Sequence, residues 1–407
     1  MIAFAKPGAH RPYPEMAAQA THAALADARL DYAGVQQAYV GYVYGDSTAG
    51  QRALYGVGLS GIPIINVNNN CSTGSTALFL ARQAVASGAA DCVLALGFEH
   101  MNPGALGAVF QDRPSPFDHF NAATEELVGH AEIPLALRYF GGAGLAHMQQ
   151  YGTRLQTFAA IRAKASRHAV HNPLALLRRE VTTEEVMAAP MLWDGVMTRL
   201  MACPPTCGAA AAVICSEPYA QKHRLDRRVR IRAQAMTTDT AATFQSRDMR
   251  EVVGFSMAKE AARQVYEQAG IAPKDVDVVE LHDCFAQNEL ISYEALGLCP
   301  EGGAERFVAD GDNTYGGHVV TNPLGRPAVQ RPPAGRHRPG AVYRARAAAA
   351  RNGRRASGPR CAAGPATQSG FRRRLRGHPV RARARPTHAM TDVRAIAKLP
   401  GLGPRSQ

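Results

Sequence analysis

A chain of 407 residues with 46% hydrophobic side chains is long enough for two domains or one duplicated α/β architecture with a large core. Its formal net charge of +13 is concentrated at one end: residues 324–407 hold 19 Arg, 1 Lys and 1 Asp, leaving 26 basic against 32 acidic side chains in residues 1–323. The acidic body argues against nucleic acid as a partner, no apolar run reaches the length of a membrane span, and Met1-Ile2-Ala3-Phe4-Ala5-Lys6-Pro7-Gly8 lacks a signal-peptide core, so a cytoplasmic protein with reduced thiols is expected.

In chain order, an amphipathic helix over Glu15 to Ala28 comes first. A strand, Ile64-Ile65-Asn66-Val67, then leads through Asn68-Asn69-Asn70 into Cys71 and an alanine-rich helix over Thr76 to Val85. A cysteine at a helix N-terminus has its thiolate stabilised by free backbone N–H groups and the positive end of the dipole, so Cys71 is a candidate nucleophile. The stretch Gly61 to Phe98 as a whole supplies strands of a first half. Gly141-Gly142-Ala143-Gly144 lacks the Lys-Ser/Thr of a phosphate loop. Cys203, Cys207 and Cys215 have no histidine or fourth cysteine at zinc-finger spacing. Ala209 to Cys215 and Val229 to Ala235 read as strands, and Ser256 to Ala269 as a helix. Val276 to Leu281 alternates as a strand ending in His282-Asp283-Cys284-Phe285, before a helix over Asn288 to Leu296. A second strand end thus presents an imidazole and a thiol. Alternating strands and helices predict an α/β fold with sheets covered on both faces.

With Cys71, the blocks Leu94 to Glu99, His147-Met148-Gln149-Gln150-Tyr151-Gly152, Gly208 to Ala212, His282 to Phe285, Tyr293 to Gly302 and Gly311 to Gly317 resemble the thiolase superfamily, in particular its sterol-carrier type. The resemblance runs nearly unbroken from Phe4 to Pro323. It implies a five-layered α-β-α-β-α fold of two similar halves: residues 1–220, with a helical loop domain at about 112–200 over the coenzyme A tail, and residues 221–323, incomplete at the C-terminus. The implied reaction is thiolytic cleavage of 3-oxoacyl-CoA, or the reverse condensation, by a homodimer. Coenzyme A and acyl-CoA are then the ligands, with no metal or organic cofactor. By resemblance Cys71 is the nucleophile, Cys284 the acid/base and His282 part of the oxyanion site, while Asp283 orients the turn. His100 and His147 are read as surface or packing residues, and Cys92, Cys215 and Cys299 as core. Cys207 stands where the family has aspartate. Two other readings remain: a non-catalytic thiolase-fold subunit that holds lipid or acyl-CoA or scaffolds a partner, and a basic-tailed nucleic-acid binder.

The family pattern breaks at both ends. Only Ile2-Ala3-Phe4 remains of its first strand, so either one sheet edge is incomplete or the start codon is misassigned. After Asn322-Pro323 the family continues with Ser-Gly-Gly and a Gly-His-Pro motif whose histidine activates the nucleophile, whereas this chain continues Leu324-Gly325-Arg326-Pro327. Arg331 to Tyr343 can be encoded so that reading one base later gives Gly-His-Pro-Leu-Gly-Ala-Thr-Gly. The same offset recovers Ser-Gly-Gly from Leu324 onward and a Gly-Phe-Gly-Gly segment from Thr367 onward. The Arg/Pro/Ala-rich stretch 324–407 is therefore expected to be out of frame and disordered.

Overall fold

The computed structural model describes residues 1–102, 110, 112–323 and 391–392, so the expectation of disorder for 324–407 lies outside the described residues apart from 391–392. Helix α1 (Tyr13–Ala28) buries Met16, Ala17, Ala20 and Leu25 against a mixed sheet. That sheet is built from β1 (Gln37–Gly41), β2 (Ile64–Val67), β3 (Cys92–Glu99) and β6 (Gly208–Cys215), in the order β2-β1-β3-β6. The first three strands run parallel and β6 runs antiparallel to β3, from Cys92 opposite Cys215 to Glu99 opposite Gly208. Every residue of β3 but Glu99 is buried, as expected for a central strand covered on both faces. Beyond β6, only Ala5 bridges Cys207 and Ile2 donates to the Ala209 carbonyl, so this edge carries the short strand end read in the sequence. Helix α2 (Ala49–Tyr55) packs on β2, and α3 (Thr73–Ala86) lies across β1 and β3.

Between β3 and β6 the described chain forms α4 (Asp118–Val128), α5 (Leu135–Tyr151), α6 (Leu155–Val170), α7 (Thr183–Met187) and a hairpin of β4 (Met191–Trp193) and β5 (Met197–Thr198). The glycine run falls inside α5. A Cβ on Gly141 would stand 2.7 Å from Trp193, and one on Gly144 would stand 2.4 Å from Gln287, so these glycines let neighbouring elements approach. After β6 come α8 (Glu217–Lys222), β7 (Met236–Thr237), α9 (Ala241–Gln245), α10 (Met249–Val252) and α11 (Phe255–Ala269). Then follow β8 (Val278–Val279), α12 (Ala286–Ala295), α13 (Ala304–Ala309) and β9 (Val320–Thr321), with β8 and β9 parallel. The backbone of β10 (Thr391–Asp392) pairs antiparallel with β7.

Two strand expectations are corrected. Val229 to Ala235 forms no strand: Val229 is exposed, only Ala233 and Ala235 are buried, and Arg230 turns outward to Glu217. Alternation alone made no ladder, since among the described residues no strand pairs with this segment. Of Val276 to Leu281 only Val278 and Val279 pair as strand, because at Leu281 the backbone N–H is taken by the Asn322 side chain at 2.6 Å.

Candidate active site

Cys71 stands in the turn between β2 and α3, and the local sequence dictates that turn. Asn70 takes a left-handed φ of 49°, a conformation asparagine tolerates better than most side chains. Ser72 Oγ and Ser72 N–H both donate to the Asn69 carbonyl, at 2.6 and 3.1 Å. The Asn69 N–H donates to Thr73 Oγ1 at 2.8 Å, and the Thr73 N–H donates to the Asn70 carbonyl. A Cβ on Gly41 would meet the Thr73 carbonyl oxygen at 2.6 Å, so that glycine lets the first turn of α3 seat directly on β1. These constraints place Cys71 two residues before a helix of 14 residues, with its side chain exposed.

The second turn is built by distant parts of the chain. Val320 N donates to the Asp277 carbonyl and Asn322 N to the Val279 carbonyl, aligning the ends of β8 and β9. Asn288 Nδ2 donates to the His282 carbonyl at 2.5 Å, tying the turn to the first turn of α12. Asp283 and Cys284 are buried there and His282 is half-buried. On the other side Ala202 bridges Phe285 antiparallel and the Cys203 N–H donates to the Cys284 carbonyl at 2.9 Å, so Cys203 and Cys284 face each other across a short ladder.

The three thiols act on one another. Burial, followed by the charges of Cys203, Cys71 and Asp283, pushes the Cys284 thiol well above the ordinary range, against a hydrogen bond from the Phe285 N–H. Cys203 is pushed up to about 12 by burial, Asp283 and Cys71. The two enclosed thiols, neighbours across the Cys203–Cys284 backbone bond, are thus held in their acid form at neutral pH, with Cys71 close enough to bear on both electrostatically. Such an arrangement offers one accessible sulfur nucleophile beside a proton donor.

The Thiolase, N-terminal domain family matches residues 3–115, and the Thiolase C-terminal domain-like family matches residues 238–333. Sterol carrier protein 2 of Bos taurus is 52% identical over 328 residues, which are 80% of this chain and 60% of that protein. Non-specific lipid-transfer protein-like 2 of Caenorhabditis elegans is 42% identical over 338 residues, 80% of either chain. The chain belongs to the thiolase superfamily. It spans about 60% of the length of the sterol carrier proteins it matches. A solved Ltp2-ChsH2(DUF35) aldolase superposes with a TM-score of 0.65 at 23% identity, covering 79% of this chain and 81% of that one, a likeness of fold. A mixed α/β thiolase fold with N- and C-terminal domains is thus shared.

Other residues around this thiolase site were not legible as such. From α6, Lys164 Nζ is paired with Glu289 and donates to Thr321 Oγ1 at 2.6 Å, while Tyr293 OH donates to Glu289 at 2.6 Å and accepts from Asn313. Burial pushes the Glu289 carboxyl up, but Lys164 and the hydroxyls of Tyr293 and Thr321 outweigh it, so Glu289 ends below the usual carboxylate range. One turn on, His168 Nδ1 donates to the Asn322 carbonyl at 3.1 Å and Nε2 meets Thr314 Oγ1 at 2.8 Å. Helix α6 thereby pins the end of β9, the strand that pairs with β8 ahead of the Cys284 turn. His147, read as a surface or packing residue, is fully buried between Thr153 at 2.8 Å and Glu294 at 3.0 Å, and Glu294 also accepts from the Ala304 N–H. His100 lies half-buried with its ring 4.1 Å from that of His10. Cys92 is buried in the core, whereas Cys215 and Cys299 are only partly buried. Cys207 Sγ, where the family has aspartate, accepts from the Met101 N–H at 3.2 Å.

Proposed function

We propose that this chain is built as a thiolase-type acyltransferase, cleaving 3-oxoacyl-CoA with coenzyme A or running the reverse condensation. The observation that carries the reading is the exposed Cys71 thiol at the start of α3, sharing a site with the buried, protonated Cys284. In the cleavage direction the Cys71 thiolate attacks the C3 carbonyl and the C2–C3 bond breaks. Cys71 keeps the shortened acyl group as a thioester, and the C2 fragment leaves as the enolate of acetyl-CoA. Cys284 delivers its proton to C2. The thiol of a second coenzyme A then gives its proton to the Cys284 thiolate and takes the acyl group from Cys71. His282, at the start of the same turn, donates toward the enolate oxygen in this reading.

The finer architecture belongs to the same proposal: five layers from two similar halves, and a homodimer joined along β2. Support for the dimer comes from β2 being the outer strand of its sheet and only half-buried along its length. Residues 324–407 are proposed to be out of frame, which removes the histidine expected to activate Cys71. Losing such a base costs about 100- to 10,000-fold.

The test compares the chain as it stands with one in which a single base is removed near codon 323, using acetoacetyl-CoA and a longer 3-oxoacyl-CoA. Thiolysis is expected only from the repaired chain. Equal turnover by both contradicts the frame reading, and none from a folded repaired chain favours a non-catalytic acyl-CoA-binding subunit.

A further inference from the structure

Strands β8 and β9 pair in parallel, Val278 with Val320 and Val279 with Thr321. Along β9 the Val320 N–H donates to the Asp277 carbonyl at 3.0 Å and the Asn322 N–H to the Val279 carbonyl at 2.8 Å. In a parallel ladder the next bond in this series would join the Leu281 N–H to the Asn322 carbonyl. The chain departs from that pattern. Asn322 is left-handed, with φ 49°, so its carbonyl accepts from His168 Nδ1 at 3.1 Å, while its side-chain Oδ1 takes the Leu281 N–H at 2.6 Å. A side-chain amide thus stands in for the strand, and the residue just beyond it is His282. Asn322 is 1% exposed. Accepting an N–H fixes which end of its amide is oxygen, and among the described residues its Nδ2 makes no hydrogen bond.

On the other side of His282, its carbonyl accepts from Asn288 Nδ2 at 2.5 Å, from the first turn of α12. One bond therefore fixes the backbone entering His282, and the other the backbone leaving it. We propose that Asn322 and Asn288 are positioning residues, a two-amide clamp on the backbone around His282 that sets where its imidazole stands. A group that donates toward a developing enolate oxygen works only when held in place, and His282 sits half-buried beyond the last paired residue of β8. The two amides supply there the constraint that a neighbouring strand supplies elsewhere. The proposal rests on the thiolase reading only in giving His282 its work at the enolate oxygen.

The experiment measures modification of each histidine by diethyl pyrocarbonate at about pH 7, by peptide mapping of the full chain, which requires no turnover. Asn322→Gly keeps the left-handed backbone but loses the acceptor, and Asn288→Ala loses the donor. Each is expected to speed modification of His282 about threefold to tenfold, the worth of one hydrogen bond. Asn322→Asp retains the acceptor and gives up no bond, so it is expected to restore the original rate. His147, fully buried elsewhere, reports loosening of the whole fold. A parallel rise at His147 overturns the proposal, as does an unchanged His282 rate in either Asn322→Gly or Asn288→Ala, or an Asn322→Asp that reacts like Asn322→Gly. In the frame-restored enzyme Asn322→Gly and Asn288→Ala are expected to lower kcat about tenfold to a hundredfold and to add nothing to the loss in His282→Ala. A further loss in that background marks a role apart from His282 and contradicts the clamp. Absence of thiolysis in the repaired enzyme leaves the modification rates intact, so the two readings fail separately.

Discussion

The two cysteine turns of this molecule are made by opposite means. Around Cys71 the bonds stay within a few residues: Asn69, Asn70, Ser72 and Thr73 close the turn on themselves, and the thiol is left exposed. Around Cys284 two of the constraints come from afar, Asn322 on Leu281 and Cys203 on the Cys284 backbone, beside the nearer bond from Asn288 to the His282 carbonyl. Buried there, the thiol retains its proton. In the proposed reaction, two identical side chains serve as nucleophile and acid because one turn is local and open, and the other is assembled and closed.

The sharpest way to break this contrast is to remove each sulfur in the frame-restored chain. Cys71→Ala is expected to lose acyl loading and thiolysis by at least about a thousandfold, as removal of a nucleophile does. Cys284→Ala is expected to load the acyl group but fail to turn over. Acyl-enzyme measured by intact mass separates the two; loading retained in Cys71→Ala contradicts the division of labour.

A smaller but still large effect belongs to the support of the closed turn. Lys164→Met strands Glu289 in the core and should cost about 3–5 kcal/mol of stability in urea unfolding. Converting Glu289 to Met as well should recover most of that loss. The pH sign follows from Glu289 lying below the usual carboxylate range in the fold. Its stabilisation is fully present above the ordinary carboxylate value of about 4.3 and is lost as pH falls through the lower folded value. Acid unfolding that is unchanged in the double variant would count against this role.

The smallest effect is at the open turn. Asn70→Gly should be close to neutral and Asn70→Ala should cost about 1–2 kcal/mol, because φ is 49° there. Thermal melts of the two variants measure the difference. Equal midpoints would mean that the left-handed backbone is not what shapes the turn.

This contrast also accounts for what could be read from sequence. Strand Ile64–Val67, the asparagine turn and α3 were legible because their determinants are neighbours in the chain. The strand end before His282 was legible in place but not in length, since Leu281 spends its N–H on Asn322, 41 residues away. Lys164 was invisible: in an alanine-rich helix such a cation reads as a solvated face, and Lys164 meets Glu289 from 125 residues away. Val229 to Ala235 shows the converse, a two-residue period with no strand beside it, among the described residues, to make it a ladder. Membership in the superfamily was carried by ordered motif blocks, which need no knowledge of burial.

The most direct test of the account is which cysteine reacts first in the folded protein. After brief exposure to iodoacetamide at neutral pH, peptide mapping is expected to find Cys71 labelled before every other thiol, with Cys203 and Cys284 unmodified until the chain is unfolded. First labelling at Cys203, Cys284 or Cys299 would contradict the assignment of Cys71 as the nucleophile.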